Sequence, residues 1–360
     1  MKIRHRGVVI TALALCGILV AVQAPAQQRQ PQHIYTPMAS PHASVHQTIG
    51  VTEMSVDYHR PAVNDRDLWG SLIPYGQMWR TGANENTVVS FSTDVSVEGQ
   101  ALAAGSYGLH TIPGESEWEV VFSHDTSAWG SFSYDQAQDA LRVQVTSGEA
   151  PFFQERLAFT FEDVDNEKAT LALHWGNLRV PIQITADTHE LALASFRDQL
   201  KGLSRFFWPG WNQAANYALQ NDVALEEALT WADSSIQAEE RFDNLSTKAQ
   251  LLVKLDRADE ADEIMSRALG MGNAGQLHNY ARQLLGQDRK EDALEVFQRN
   301  VEQNGDAWFV ELGLARGYSA LGQFEKAAEQ MRIAVGRAPE PQKAYVQGLV
   351  EQLEAGNDIN

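Results

Sequence analysis

The sequence predicts a β + α protein: an antiparallel β-sandwich or flattened barrel followed by an α-solenoid of helical pairs. Two observations predict this class. Apolar residues alternate with a period of two up to about Thr185, and they take the period of helices after Asp187. In the helical part, alanines recur every 32 to 34 residues. With 360 residues, 44% of them hydrophobic, the chain is long enough for more than one domain.

Residues 1–26 have the order of an export signal: a basic start, an apolar run and small residues before a Gln-rich stretch. The basic residues are Lys2, Arg4 and Arg6, the run is Val8–Val22, and the small residues are Ala24 and Ala26. We expect cleavage after Ala26 and a periplasmic or secreted protein. The alternative is an uncleaved anchor. The run is shorter than the roughly 20 residues of a membrane helix, so we expect no membrane span in the mature chain. Residues 27–37 are expected to be a flexible tether.

The only cysteine, Cys16, falls in this leader, so the mature chain is expected to have no disulfide and no thiolate chemistry. Lipidation at Cys16 is disfavoured because Leu15, rather than a small residue, precedes it. The chain is acidic, with 28 Lys+Arg against 47 Asp+Glu and a formal net charge of -19. That charge makes a nucleic-acid backbone or an anionic membrane surface a poor partner.

Residues 38–187 are predicted to form the β domain. Short alternating runs are separated by Gly, Pro, Asn and Asp, and each run places large apolar groups on one face. The runs are Met54–Tyr58, Trp118–Phe122, Leu141–Val145, Leu157–Phe161, Leu171–Leu173 and Leu178–Ile184. No segment between them is long enough for a helical crossover, so the strands are expected to pair antiparallel. Asp163–Glu167 is predicted to be a hairpin loop.

The helical half is predicted to comprise a linker helix at 188–210 and an α-solenoid of about four repeats at 211–355. Pro209, after three aromatic residues, should end or start a helix. The alanines of the repeat are Ala228, Ala261, Ala293 and Ala327. The segment Leu321–Ala327 resembles the turn and second helix of a tetratricopeptide repeat. The alternative is an ordinary helical bundle that reuses alanine. A solenoid would offer a concave surface to a protein partner.

The densest group of unusual residues is Trp79–Glu85, which lies downstream of Tyr58. An arginine and a carboxylate beside aromatic rings can bind a carboxylate, sugar or amide group. The ligand-binding candidates are Arg80, Asn84, Glu85, His110, Tyr58 and Trp79. A structural alternative stays open: Arg80 and Glu85 would form an internal ion pair, with Trp79 in the core.

Histidines give only weak indications of a metal site. His42 and His46 are four residues apart on a predicted strand, too far apart to share one ion. His110 and His174 are interpreted as solvent-facing or hydrogen-bonded side chains. A site assembled from His110, Glu85 and another histidine across strands is the alternative. We expect no metal and no cofactor.

Standard catalytic motifs are absent from the sequence: there is no Gly-x-Ser-x-Gly elbow, no phosphate-binding loop and no His-Glu-x-x-His. Whether the protein is an enzyme therefore stays open, and the missing motifs favour a protein without catalytic activity. Trp129, Phe132 and Tyr134 could stack on a sugar ring, although packing in the core or a hairpin is the favoured interpretation.

Several motifs occur in the order found in a known family. They are Ser40–Ser44, Tyr58–Pro61, Leu68–Gly70, Pro74–Gly76, Trp79–Glu85, Ala104–Pro113 and Trp129–Gly130. Over residues 38–186 the chain resembles the exported bacterial proteins grouped as the domain of unknown function DUF2911. The resemblance implies a secreted or periplasmic β domain, sometimes followed by helical repeats. It implies no activity.

Three hypotheses of function follow. The first is an exported cell-envelope binding or scaffold protein, whose β domain recognises a glycan, peptide or other ligand and whose solenoid binds a protein. The second is an exported enzyme acting on glycan or peptide through Arg80, Glu85 and His110. The third is a structural module that stabilises an envelope assembly through a sheet edge.

Overall fold

A computed structural model describes residues 36–305 and 307–360, which form ten β-strands followed by ten α-helices. The predicted leader, its cleavage after Ala26 and residues 27–35 of the tether lie outside the described residues. The strands are β1 His42–Ile49, β2 Thr52–His59, β3 Thr87–Phe91, β4 Val95–Val97, β5 Gln100–Leu102, β6 Gly105–Ile112, β7 Glu117–Ser123, β8 Asp139–Thr146, β9 Gly148–Glu162 and β10 Lys168–Thr185.

The strands pair antiparallel in two sheets, as the missing crossovers predict. One sheet has six strands in the order β1-β2-β3-β6-β7-β8, and the other has four in the order β5-β4-β10-β9. Neither sheet closes on itself, so the domain is a sandwich and the flattened barrel is not formed. Asp163–Glu167 joins β9 to β10 as a hairpin loop, which confirms that prediction.

Alternating apolar residues of both sheets meet in one core, as the period of two requires. Tyr58 of β2 packs on Phe159 of β9 across the sandwich, with ring centroids 4.9 Å apart. The predicted runs 171–173 and 178–184 belong to one strand, β10, because Gly176 allows the strand to bend without ending. Its φ of +62° lies at the point where the register with β9 shifts.

The helices are α1 Thr188–Gln199, α2 Trp208–Asn221, α3 Leu225–Ala238, α4 Phe242–Lys254, α5 Ala258–Met271, α6 Ala274–Gly286, α7 Lys290–Asn304, α8 Trp308–Ala320, α9 Phe324–Arg337 and α10 Glu340–Glu354. Pro209 lies in the first turn of α2, where its missing N–H costs nothing. None of the helices in the described part of the chain is long and apolar enough to cross a membrane.

Four helical pairs, α2–α3 to α8–α9, follow each other at the spacing of the alanines. The four alanines lie at equivalent positions of α3, α5, α7 and α9 and are at most 2% exposed. Small side chains at these positions let the two helices of a pair approach closely. The predicted α-solenoid is therefore confirmed over the described residues, and the bundle alternative does not apply.

Candidate ligand-binding site

Trp79 lies between the two sheets of the sandwich. Its backbone N–H and C=O pair with Thr111 of β6 at 2.8 Å each. The indole is 7% exposed, and its Nε1 donates to the carbonyl of Gly82 at 3.2 Å. The ring stacks on Trp175 of β10 with centroids 5.8 Å apart. Trp79 thus fills the core, as the structural alternative proposes.

Trp79 and Trp175 also line one side of a cavity of about 510 Å³. The cavity is bounded mainly by the irregular connection between β2 and β3, with Trp175 and two residues that precede β1. Its other polar side chains come from this connection and from the segment before β1. They are Ser40, Asn64, Arg66, Gln77, Arg80 and Asn84. This size and mixed lining suit a small ligand or part of a larger one.

Arg80 has no ion-pair partner among the described residues, and no described group accepts a hydrogen bond from its Nε, which is buried. The guanidinium carbon lies 5.8 Å from the ring centroid of Trp129 in a cation–π arrangement. Burial lowers the pKa of Arg80, although an arginine stays charged. The ion pair with Glu85 that the sequence left open is not formed.

Arg66 is a second arginine on the cavity wall without a carboxylate partner in the described chain. It donates to two carbonyls, from Nε to Val63 at 2.9 Å and from Nη2 to Ala62 at 2.5 Å. These bonds hold the guanidinium in place but leave its charge uncompensated. Two such arginines give the cavity a positive wall in a chain that is acidic as a whole.

The other sequence candidates lie in different surroundings. Asn84 lines the cavity with a left-handed φ of +58°, and its Nδ2 donates to the Ser40 carbonyl at 3.2 Å. Glu85 is exposed and lies 3.5 Å from Nδ1 of His59. Tyr58 is 3% exposed in the core, where its hydroxyl accepts from the backbone N–H of Phe159 at 3.2 Å. The structure therefore brings Trp79, Arg80 and Asn84 together at the cavity, without Tyr58.

His59 connects Glu85 to His42, whose ring contacts it edge-on at 5.3 Å. Burial lowers the pKa of His59, opposed by the charge of Glu85. Across residues 36–305 and 307–360, no three His, Cys, Asp or Glu side chains are placed to hold a metal ion.

His110 is 2% exposed, so the solvent-facing interpretation is wrong and the hydrogen-bonded one holds. Its Nδ1 lies 3.0 Å from Oγ of Ser131. Its Nε2 lies 3.5 Å from the side-chain amide of Asn86. His174 is likewise buried, with its Nε2 2.7 Å from a Glu162 oxygen. Neither histidine lines the cavity.

Trp129 and Phe132 are 62% and 86% exposed, so the expected packing in a core or hairpin is wrong for both. Their rings are nearly parallel, 14° apart, with centroids 6.3 Å from each other. Tyr134 is half-buried and donates to the carboxylate of Asp139 at 2.7 Å. Burial, with that hydrogen bond, raises the pKa of Tyr134 to about 12. The exposed pair extends an apolar platform next to Arg80.

Arg66, Asn86 and Ser131 are functional candidates that the sequence patterns did not indicate. Arg66 lies in a connection without periodicity, which gives no indication of what it faces. Asn86 follows the Trp79–Glu85 motif directly, and this adjacency was an available signal. Ser131 lies 21 residues from His110 in the chain and meets it only because the loop between β7 and β8 folds back over β6.

The helical half has a second candidate surface. A cavity of about 360 Å³ lies between α2 and α4, the first helices of two successive pairs. Amide, carboxylate and hydroxyl groups line it, from Asn212 and Asn216 on α2 to Asp243 and Ser246 on α4. Oδ1 of Asn212 is buried without a hydrogen-bond partner in the described chain. The carboxylate of Asp243 accepts from Gln276 of α6 at 3.1 Å, which continues the polar row to the next pair.

The fold and these surfaces define a two-part protein, an antiparallel β domain with a positively lined cavity and an array of helical pairs. Residues 40–184 match the family described as "Protein of unknown function (DUF2911)", which confirms the resemblance of the motifs. No curated protein matches the chain.

Solved structures similar to the chain include YrrB, described as a TPR protein with an unusual peptide-binding site, and MamA from Desulfovibrio magneticus RS-1. YrrB is 18% identical with a TM-score of 0.30, over 45% of this chain and 84% of that chain. MamA is 19% identical with a TM-score of 0.27, over 44% of this chain and 98% of that chain. These values are too low to transfer a function.

Proposed function

We propose that the chain is an exported binding protein, whose β domain holds an anionic ligand at the cavity beside Arg80 and whose helical repeats bind a protein segment. The observation that carries the proposal is that Arg80 has no partner for its charge among the described residues. It is a half-buried guanidinium on a cavity wall, with a buried Nε and no acceptor among the described residues. A buried charge without a partner is costly, and a ligand carboxylate would compensate it with two parallel hydrogen bonds.

The ligand chemistry follows from what surrounds Arg80. Arg66 adds a second positive charge on the same cavity, and Asn84 adds an amide. Trp129 and Phe132 offer exposed ring faces, which suit the apolar face of a sugar or an aromatic side chain. An acidic glycan or an acidic peptide of the cell envelope matches this set.

The helical repeats are proposed to bind an extended segment of a partner protein. Asn212 and Asn216 of α2 and Ser246 of α4 present amide and hydroxyl groups on the first helices of two successive pairs, and such groups can pair with the backbone of an extended peptide. Oδ1 of Asn212 is buried without a hydrogen-bond partner in the described chain, and a peptide N–H that reached it from the cavity would satisfy it.

Export is proposed from the leader alone, residues 1–26. The intact mass of the protein recovered from the periplasm or medium tests it, because cleavage after Ala26 makes Gln27 the first residue. A cytoplasmic protein that retains Met1 would contradict export.

The β-domain proposal is tested with glycan and peptide arrays probed by three forms of the full mature chain. Wild type is expected to bind acidic members. Arg80→Ala should lose at least about tenfold in affinity, which corresponds to one charge-assisted contact of about 1.4 kcal/mol or more. The matched control is Arg332→Ala, which removes an exposed arginine that pairs with Glu354 on the solenoid. Equal binding by Arg80→Ala and wild type would overturn the proposal.

The partner-binding surface is tested by cross-linked pull-down from the source cell envelope. The full mature chain is compared with an Asn212→Ala, Asn216→Ala double variant. The matched control is Gln220→Ala, an exposed amide of the same helix that does not line the cavity. We expect the double variant alone to lose the partner. Retention of every partner by the double variant would contradict this assignment.

A further inference from the structure

Three side chains in the β domain form a hydrogen-bonded chain that leads from a half-buried hydroxyl to a buried amide. Oγ of Ser131 lies 3.0 Å from Nδ1 of His110. The amide of Asn86 is best satisfied with its nitrogen turned toward the carbonyls of Gly130 and Ala128, to which it then donates at 2.9 Å and 3.2 Å. In this orientation, Oδ1 of Asn86 faces Nε2 of His110 at 3.5 Å.

This orientation of Asn86 favours one tautomer of the His110 imidazole. Nε2 carries it and points to the acceptor Oδ1 of Asn86, so the lone pair of Nδ1 points to the Ser131 hydroxyl. Burial lowers the pKa of His110, opposed in part by the charges of Asp139 and Asp125. A neutral imidazole at neutral pH can accept the serine proton.

The surroundings of Ser131 are those of a reactive hydroxyl and not of a core residue. Ser131 is half-buried, next to the exposed rings of Trp129 and Phe132. Gly130, the residue before it, lies against the Arg80 guanidinium: a Cβ placed on Gly130 would be 3.7 Å from Nη1. A half-buried cation and a half-buried hydroxyl therefore lie beside the exposed rings, with the buried base directly behind the hydroxyl.

We propose that Ser131 is a nucleophile, with His110 as its general base and Asn86 as a positioning residue, in the hydrolysis of carboxylic esters that carry an anionic group. Nucleophile, base and orienting group are the three roles of a catalytic triad, which is recognised by geometry rather than sequence order. The anionic group is assigned to Arg80, and this part rests on the proposed function. The proposed reactivity of Ser131 with His110 is independent of that ligand site.

The reaction balances with water as the second reactant. Oγ of Ser131 attacks the ester carbonyl carbon while its proton passes to Nδ1 of His110. The bond between that carbon and the alcohol oxygen then breaks, and the leaving alcohol takes the proton from His110. Water attacks the acyl-serine with His110 again as base, which releases the carboxylic acid and returns the proton to Oγ.

The test is covalent labelling of the full mature chain with a fluorophosphonate, which forms a bond from serine oxygen to phosphorus and releases fluoride. We expect a label on Ser131, located by peptide mass spectrometry and absent from Ser131→Ala. The matched control is Ser133→Ala, which removes an exposed hydroxyl two residues away and should label like wild type. His110→Gln should slow labelling by about 10²-fold or more, the usual contribution of a general base.

A second readout separates a base from a structural residue. Because burial lowers the pKa of His110, the wild-type labelling rate should rise with pH and level off below about pH 6.5. A labelling rate that does not fall as the pH is lowered from 6.5 into the acid range would overturn the proposal, because the imidazole would then not act as the base. A label spread equally over surface serines would also overturn it. The two proposals fail separately: unchanged array binding by Arg80→Ala would overturn the ligand site, and unchanged labelling of Ser131→Ala or His110→Gln would overturn the nucleophile.

Discussion

The indoles of Trp79 and Trp175 stack with their planes 18° apart and their centroids 5.8 Å from each other, although Trp79 is bridged to β6 of the six-stranded sheet and Trp175 belongs to β10 of the four-stranded sheet. Trp69 contacts both rings of this pair edge to face, and Trp118 contacts Trp79 and Trp69 in the same way. The four rings join the two sheets, and two of them, Trp79 and Trp175, also line the cavity. Residues that hold the fold together therefore also shape the candidate site.

Removal of one ring of this pair should strongly lower the free energy of unfolding. Trp175→Ala is expected to lower the free energy of unfolding by about 3–5 kcal/mol, because Trp175 is 1% exposed and its removal leaves a void in the core. Trp129→Ala is the control, since that ring is 62% exposed and its removal should cost about 0.5 kcal/mol or less. Urea unfolding of both variants measures the difference. Similar losses would contradict the role of the tryptophan cluster.

The turn between β1 and β2 depends on Gly50. Its φ is +53°, and a Cβ there would lie 2.1 Å from Oγ1 of Thr188 at the start of α1. Gly99 is a matched control, because its φ is +77° and nothing lies within 4 Å of its Cβ position. Gly99→Ala should cost about 1–2 kcal/mol for the backbone alone, and Gly50→Ala should cost at least about 1 kcal/mol more for the clash. Thermal unfolding checks this, and equal costs would show that no close approach exists.

The positions of the repeated alanines are expected to tolerate only small side chains, because the two helices of a pair are closely packed there. Ala261→Leu should lower the free energy of unfolding by about 1–3 kcal/mol, because Ala261 is 2% exposed between paired helices. Ala258→Leu, on the exposed first residue of the same helix, should change it by about 0.5 kcal/mol or less. If both variants unfold alike, the close packing at the repeat positions is not what fixes the pairs.

His278 should make the solenoid less stable in acid. Burial, with the charges of Arg282 and Arg316, lowers its pKa to about 4. Between that value and the ordinary 6.5, the unfolded chain binds a proton that the folded chain does not, so stability falls as the pH falls. From pH 7 to pH 5 the contribution is on the order of 2 kcal/mol. His278→Gln should remove this part of the pH dependence, measured by urea unfolding, whereas the exposed His46→Gln should not.

The sequence predicted the main features of the fold because periodicity reports burial directly. Leu157 and Phe159 point inward on β9 as their alternation requires, and the alanine spacing matches the helical pairs. It could not predict that Gly176 would bend one long strand instead of separating two, since both outcomes fit the same pattern.

For the candidate site, the sequence identified the Trp79–Glu85 segment but not which side chains of the segment contact each other. Whether Arg80 meets Glu85 depends on the turn between them, where Thr81 and Asn84 both adopt a positive φ. The contact of Ser131 with His110 depends on a loop conformation, and residue spacing carries no information about it. The sequence also could not predict that Trp129 and Phe132 are exposed, because apolar residues in a loop can be either buried in a core or exposed at the surface.

The central claim, that Arg80 serves a ligand and not the fold, is tested most directly by the stability of Arg80→Met without ligand. Urea unfolding in a buffer of weakly interacting anions should show this variant to be more stable than wild type by about 1 kcal/mol, because it removes a half-buried, uncompensated charge and keeps the apolar stem. Arg142→Met, which breaks ion pairs with Asp139 and Glu119, should be less stable than wild type in the same assay. A loss of stability for Arg80→Met comparable to that of Arg142→Met would contradict the claim and make Arg80 a structural residue.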